Sequence, residues 1–304
     1  MSCSSNLRTL EFDETEPGAH RYIRPLIAAT RSKEVFVDST RDRDLAINAA
    51  RSAGKYIKER VGNISRIDYK SAYNIVTDVD KATEKLILDM IKTENPDDSV
   101  VAEEGGGGIK TGNRCWFIDP LDGTTNFTHT YPFFCVSIGL EVAGKMTVGV
   151  VYNPISDELF FAEAGKGAFL NDAAINVSKI DKVETSLLAT GFPADTATSV
   201  YNNLEIFKEL TNNSHGVRRD GSAALDLCFV ACGRLDAFWE MKLAPWDVAA
   251  GSLIVEEAGG RVTNLIAGPF DKNNGHIIAS NGLIHDEVVA TLKTFKIVQK
   301  EHGL

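Results

Sequence analysis

The segment Trp116-Phe117-Ile118-Asp119-Pro120-Leu121-Asp122-Gly123-Thr124-Thr125-Asn126-Phe127 puts two carboxylates three residues apart at the end of an apolar run. Pro120 keeps the chain from turning helical at once. Asp122-Gly123 then makes a turn that leaves Thr124 and Thr125 near the start of the next element. With the Leu121 carbonyl between them, the two acids offer three oxygens to one hard cation. Magnesium favours oxygen ligands and keeps several waters, so a few protein oxygens suffice. Gly123 lets backbone N–H groups approach a phosphate without a Cβ in the way. Taken alone, the segment reads equally as two common turns, Asp-Pro and Asp-Gly.

Three more acidic segments shift that balance. Val101-Ala102-Glu103-Glu104 and Ile75-Val76-Thr77-Asp78-Val79-Asp80 each place acids directly after an apolar strand. Carboxylates gathered at the end of a buried strand repel unless a cation neutralises them. Pro245-Trp246-Asp247-Val248-Ala249-Ala250-Gly251 puts Asp247 at the head of an apolar helix, where Asp is also a favoured N-cap. Four acidic clusters, each at the end of a buried element, suggest a multi-magnesium site that offsets their charge and holds an anion.

The elements that must position these groups follow from periodicity. Leu45, Ala49, Ala53 and Tyr56 predict a helix from Asp42 through Arg60. Leu86, Ile87, Met90 and Ile91 predict another over 81–93. Val100–Ala102 and Trp116–Ile118 read as buried strands, with a flexible loop at Gly105–Gly108 between them. Runs at 133–142, 146–152, 158–162 and 168–170, separated by turn residues, predict an antiparallel meander. Beyond it, strands are expected at 187–190, 235–240 and 277–279, with helices over 200–210, 222–231, 247–258 and 283–298. Helices and sheets in separate layers indicate an α+β sandwich. The expected division is an extension over 1–41, a lobe over 42–184 carrying most metal ligands, and a lobe over 185–304 carrying Asp247 and the substrate side.

Composition sets the outer bounds. The chain has 304 residues, 43% hydrophobic and 24% charged, which excludes collagen, a disordered tail and a coiled-coil rod. No uncharged apolar run approaches the ~20 residues of a membrane helix. No signal-peptide core is seen, and Glu11, Asp13, Glu14 and Glu16 make a poor transit peptide. A cytoplasmic location is therefore expected, with an organelle left open. The five cysteines include no C-x-x-C pair, which argues against a zinc site or a disulfide framework. A net charge of −10 disfavours nucleic acid as a partner, and it requires something positive between protein and any anionic substrate.

Asp119 to Phe127, Glu103-Glu104 and Trp246-Asp247-Val248-Ala249-Ala250-Gly251 together resemble the signatures of the inositol monophosphatase family, within the magnesium-dependent, lithium-sensitive phosphatase superfamily. The match runs from about Asp42 to Phe295. The resemblance implies a five-layered αβαβα fold, two or three magnesium ions per site, and a homodimer. By position, Glu103, Asp119, the Leu121 carbonyl and Thr124 would surround a first ion, and Asp119, Asp122 and Asp247 a second. Glu103 would also support a weaker third. Asp80 matches the acid bonded to the motif threonine, so that Thr124, helped by Glu103, would orient the attacking water. Asp122 and Asp247 would also touch substrate, and the Gly123 and Thr124 amides would bind phosphate. Lys70 matches a basic residue on a loop near the metals. Gly221, Ser222, Ala223 and Glu240 match the side that contacts inositol hydroxyls.

The implied reaction is hydrolysis of a small phosphomonoester, myo-inositol monophosphate, by direct attack of water. Pro245 before the tryptophan looks more like bacterial or plant-organelle members than animal ones, and puts strict inositol specificity in doubt. Fructose-1,6-bisphosphate, histidinol phosphate and 3′-phosphoadenosine phosphate are the alternative substrates. A partner-binding role beside catalysis, known for some bacterial relatives, is the alternative of another class. A haloacid-dehalogenase-type nucleophile is disfavoured: Asp78-Val79-Asp80 is followed by Ala82 where that motif needs Thr. Ile109 before Lys110 likewise spoils a phosphate-binding P-loop.

Overall fold

The computed structural model describes residues 39–64, 66–71, 74–199 and 202–301, so the expected N-terminal extension falls almost wholly outside the described residues. Helix α1 (Ser39–Lys58) buries Ala46, Ala49, Ala50, Ala53 and Ile57; of the predicted stripe, Ala49 and Ala53 are buried, while Leu45 and Tyr56 lie half-buried at its edge. A hairpin of β1 (Ile67–Ser71) and β2 (Asn74–Thr77) leads into α2 (Asp78–Glu94). The Thr77 hydroxyl accepts from the Val79 and Asp80 amides while the Asp80 carboxylate accepts from the Thr77 amide. This capping box starts α2 at Asp78, ahead of the apolar periodicity that suggested Lys81.

Next come β3 (Ser99–Ala102), β4 (Arg114–Asp122), the one-turn helix α3 (Thr124–Thr128), and β5 (Cys135–Val142). They are followed by β6 (Lys145–Asn153), β7 (Glu158–Glu163), β8 (Ala168–Leu170) and β9 (Ala173–Ala174). β3 pairs parallel to β4, and every later neighbour pairs antiparallel, giving the expected meander in a seven-stranded sheet in chain order. The second half holds β10 (Leu187–Thr190), α4 (Leu204–Asn212), β11 (Gly216–Arg218), α5 (Ala223–Ala231) and β12 (Ala237–Glu240). It ends with α6 (Pro245–Glu257), β13 (Arg261–Thr263), β14 (Ile277–Ser280), α7 (His285–Lys293) and α8 (Lys296–Glu301). These strands form a mixed sheet ordered β11-β10-β12-β14-β13.

The helix expected as one piece over 283–298 is two. At the junction the Thr294, Phe295 and Val298 amides bond three residues back, to Thr291, Leu292 and Phe295, so the helix pinches into a tighter turn. The apolar spacing of Leu292, Phe295 and Val298 runs unbroken through that pinch, which is why periodicity did not reveal it.

Alternation along the strands of the second sheet explains the layering. Phe238, Ile277 and Ala279 face a core that they share with α5, α6, and Val151 and Phe160 of the first sheet. Their neighbours Ala237, Trp239 and Ile278 face the other way, onto Ile206 and Leu210 of α4 and Val288 and Leu292 of α7. With α1 and α2 covering the outer side of the first sheet, the layers read αβαβα. Gly139 and Gly149 pair across β5 and β6, and their missing side chains let α6 lie close: a Cβ on Gly149 would stand 2.6 Å from the Ala250 carbonyl oxygen. Arg114 at the head of β4 forks to Asp42 of α1 at 2.8 and 3.0 Å and to Asp98 at 2.9 and 3.0 Å, anchoring the strand that carries Asp119.

Candidate active site

A bulge in β4 creates the central feature. Asp119 lies opposite Ser137, and Asp122 lies opposite Cys135, with a register shift between them. Three steps along β4 thus match two along β5. In a regular strand, residues three apart point to opposite faces; the extra residue brings both carboxylates to the same one. Pro120 sits inside the irregularity, where its missing N–H costs no ladder bond. The Leu121 amide closes on Asp119 Oδ1 at 3.0 Å.

The chain then reverses through Gly123, whose φ of 91° is left-handed. A Cβ there would meet the Phe133 carbonyl oxygen at 2.9 Å, so glycine is required both for conformation and for space. Thr124 opens α3, and its hydroxyl lies 2.9 Å from Asp80 Oδ1 and 3.0 Å from the Leu121 carbonyl. The second oxygen of Asp80 accepts from the Thr77 amide at 2.8 Å and from its hydroxyl at 2.5 Å. Asp80 is fully buried; burial raises its pKa, opposed by the Thr77 and Thr124 hydrogen bonds.

Glu103 follows β3, its amide bonded to the Ile118 carbonyl at 3.2 Å. The turn is held from α2 by Glu84, which accepts the Glu104 and Gly106 amides at 2.7 Å each. Asp122 Oδ2 reaches the head of α5, accepting from the Ser222 hydroxyl at 2.6 Å and the Ala224 amide at 2.8 Å. Asp247 is not the N-cap suggested by its position in the sequence. Ala244 takes that place, Pro245 is the first helical residue, and Asp247 Oδ2 accepts the Ala244 amide at 2.7 Å from the third. Proline is preorganised for the first helical position, and it moves the helix start two residues ahead of the acid.

Charge links the acids that hydrogen bonds do not. Asp119 is pushed well above the usual carboxylate range, first by burial, then by the charges of Glu103, Asp122 and Asp247. Glu240, at the end of β12, is pushed up to about 8 by burial and by Asp247 and Asp122, with Arg219 opposing. A cavity of about 170 Å³ brings together Asp122, Gly221, Ser222, Ala223, Glu240 and Asp247. Thr124, Asp80, Asp119 and Glu103 stand outside its wall. A larger hollow, about 560 Å³, lies between the outer faces of α1 and α2 against Leu45, Asn48 and Met90, away from these acids.

Fit to a metal can be judged from the donors. They are hard carboxylate, carbonyl and hydroxyl oxygens, the set that suits magnesium rather than zinc or copper. Among the described residues, no three His, Cys, Asp or Glu side chains are closed to coordination distance around one point. The acids are gathered as mutually repelling charges, which is the electrostatic setting a divalent cation relieves. Lys70 falls on β1, with its side chain outside the described residues.

Sequence reasoning missed several residues that build the site. Glu84 and Asp226 each carry a buried carboxylate on an apolar helix face, and that placement was a readable signal. Asn126 lay within the motif; its amide ties the Phe133 and Asp220 carbonyls at 2.6 and 2.7 Å, joining the segment before β5 to the segment before α5. Gly191 gave no signal at all, yet a Cβ there would collide with the Glu240 carboxylate at 2.1 Å.

The model of the inositol monophosphatase family matches residues 38–296. An inositol-1-monophosphatase from Synechocystis is 47% identical over 251 residues, spanning 82% of this chain and 88% of that protein. A Pseudomonas aeruginosa protein named Nus factor SuhB is 41% identical over 258 residues, spanning 82% and 95%. Among solved structures, an inositol monophosphatase from Anabaena superposes with a TM-score of 0.79 at 43% identity, covering 87% of this chain and all of that one.

Proposed function

The chain belongs to the inositol monophosphatase family, and from that premise we propose that it hydrolyses myo-inositol monophosphate to myo-inositol and phosphate with magnesium as cofactor. One observation carries this reading: the β4 bulge turns Asp119 and Asp122 to one face, beside a cavity that also holds Asp247 and Glu240.

Glu103, Asp119, the Leu121 carbonyl, Asp122, Thr124 and Asp247 would hold two or three magnesium ions. When bound, magnesium neutralises phosphoryl charge and makes water a stronger nucleophile near neutral pH. The chain's own groups do the rest. Thr124 has one hydroxyl hydrogen, and giving it to Asp80 Oδ1 leaves a lone pair to accept from water and fix its approach. Glu103 is the carboxylate that helps to take the proton released. Water oxygen bonds phosphorus as the bond from phosphorus to the alcohol oxygen breaks, and the departing alkoxide takes a proton from solvent water to become the alcohol. The amides of Gly123 and Thr124 receive phosphate at the head of α3. Gly221, Ser222, Ala223 and Glu240 receive the alcohol, a carboxylate being suited to neighbouring hydroxyls.

The test is phosphate release by Asp119→Asn. Loss of about a thousandfold or more in kcat, with circular dichroism and thermal midpoint retained, is expected. A panel of inositol 1-phosphate, fructose 1,6-bisphosphate, histidinol phosphate and 3′-phosphoadenosine phosphate tests the substrate. A clear preference for any of the last three would overturn inositol as the alcohol. Relatives named Nus factor SuhB favour a second reading, a partner-binding role beside catalysis. A cellular phenotype that survives Asp119→Asn would support it. The homodimer, the cytoplasmic location and lithium sensitivity belong to the same proposal, and are checked by light scattering, fractionation and inhibition.

A further inference from the structure

Helix α5 reads Ala-Ala-Leu-Asp-Leu-Cys-Phe-Val-Ala, and Asp226 is the one polar side chain in it. Asp226 is 1% exposed, and its Oδ1 has no hydrogen-bond partner. Three other buried side-chain atoms among the described residues share that condition: Thr83 Oγ1, Asn203 Oδ1 and Trp239 Nε1. Those belong to neutral groups that do not line the cavity, whereas Asp226 is acidic and lines it with Glu240. A buried carboxyl with an unmade bond is a standing cost to the fold, and such groups are found where a ligand completes them. Nothing in α5 needs this acid for structure: its amide makes the ordinary helical bond to the Ser222 carbonyl, and Ser222 supplies the N-cap.

We propose that Asp226 is a further substrate-binding residue, completing its open hydrogen bond with a hydroxyl of the leaving alcohol and forming with Glu240 a two-carboxyl reader of polyols. The proposal rests on the polyol-phosphatase reading above and names the residue that would give it selectivity. The chemistry of the cavity points to hydroxyls rather than to a second phosphate. Asp122 and Asp247 belong to the proposed magnesium set, which leaves Asp226 and Glu240 as the acids of the alcohol side against one lining cation, Arg219, a wall that favours hydroxyls over a second dianion. A hydroxyl both donates and accepts, so it matches a carboxyl in either protonation state. The pressure on Asp226 is severe: burial, then the charges of Asp220, Glu240 and Asp122, hold its pKa well above the usual range, while Arg219 pulls it down. At about 170 Å³ the space is below the ~300 Å³ at which drug-sized ligand pockets begin, and fits a small alcohol.

The full-length protein, wild type and Asp226→Leu, is assayed on inositol 1-phosphate and on p-nitrophenyl phosphate, whose alcohol has no neighbouring hydroxyl. Asp226→Leu is expected to lower kcat/KM for inositol 1-phosphate at least about tenfold, and for p-nitrophenyl phosphate less than about threefold. Its thermal midpoint should match or exceed wild type, because the unpaired acid is gone. Asp226→Asn, which keeps the shape and a hydrogen-bonding end, should retain part of the selectivity; it decides the matter if the leucine variant does not fold. Equal losses on both substrates, or no loss on inositol 1-phosphate, would overturn the role of Asp226 while leaving the function intact. Wild type inactive on inositol 1-phosphate would instead remove the functional reading, and this proposal with it.

Discussion

Gly149→Ala should damage the site from a distance, because it acts on the seating of α6. The added Cβ would stand 2.6 Å from the Ala250 carbonyl oxygen and 3.2 Å from its Cα and carbonyl carbon. Ordinary contact begins at 3.4 Å, so helix and sheet must part by about 0.8 Å. The obstacle is backbone, and no rotamer change relieves it. Ala250 lies one helical turn after Asp247, so displacement of the helix carries that carboxylate along. Overpacking of this kind costs about 1–3 kcal/mol. For a folded region of this size that corresponds to roughly 2–10 °C in thermal midpoint. A misplacement of about 1 Å at a catalytic centre costs on the order of a hundredfold in rate, so a loss of at least about tenfold in kcat is expected.

Scanning calorimetry and steady-state phosphate release measure the two effects in one preparation. Gly139→Ala is the graded comparison: its nearest neighbour, at 3.0 Å, is the mobile end of Met146, and smaller losses should follow. Gly108→Ala, with nothing within 4 Å, is the neutral control. A Gly149→Ala protein with wild-type midpoint would show that the glycine pair does not seat the helix. A lowered midpoint with undiminished kcat would break the link between that seating and the position of Asp247.

Two further outcomes follow from hydrogen bonds and burial. Thr124→Val removes the hydroxyl that meets Asp80 Oδ1 and the Leu121 carbonyl, and should lower kcat about 100-fold or more with little change in KM, while Thr124→Ser stays within about tenfold of wild type. His285 is buried between the Thr263 and Ser280 hydroxyls, at 2.8 Å each; burial, aided by Arg261 and opposed by Asp286, lowers its pKa from 6.5 to about 4. The unfolded chain therefore takes up this proton first as pH falls, so stability is retained above about pH 6.5 and lost between there and about pH 4. The loss is about 2 kcal/mol by pH 5, seen as a steeper fall in urea midpoint than in His285→Gln. Parallel slopes for the two proteins would refute it.

The parts of the fold that periodicity could reach were those with long apolar patterns: α1, the meander, α5 and α6. Among the three-residue strands, β8 was readable from its neighbours in the meander, whereas β11 and β13, standing alone between other elements, hold too few alternations to register. The acids of the site were legible as types and positions, but their geometry was not. A spacing of three between Asp119 and Asp122 places them on opposite faces of any regular strand, and only the register against β5 reveals the bulge. Pro120 was the available clue, since a proline in a central strand calls for an irregularity. Asp226 escaped because the run 222–231 was read only as a helix, and the single acid within its apolar sequence drew no role.

The four aspartates share a construction that decides how they must be tested. Each gives one oxygen to a backbone amide at an element boundary: Asp80 to Thr77, Asp119 to Leu121, Asp122 to Ala224 and Asp247 to Ala244. Those bonds fix the head of α2, the β4 bulge, the head of α5 and the head of α6. Each acid is thus a cap as well as a charge, and truncation to alanine removes both at once. The loss of a cap alone costs about 1 kcal/mol and loosens the element that carries the next acid. An asparagine can keep the amide bond with its carbonyl oxygen while giving up the charge. If the acids serve the site through charge, the Asn variants of Asp119 and Asp247 should retain wild-type thermal midpoints yet lose activity, whereas the Ala variants lose both. Equal destabilisation by Asn and Ala would mean that charge, rather than the cap, holds those boundaries.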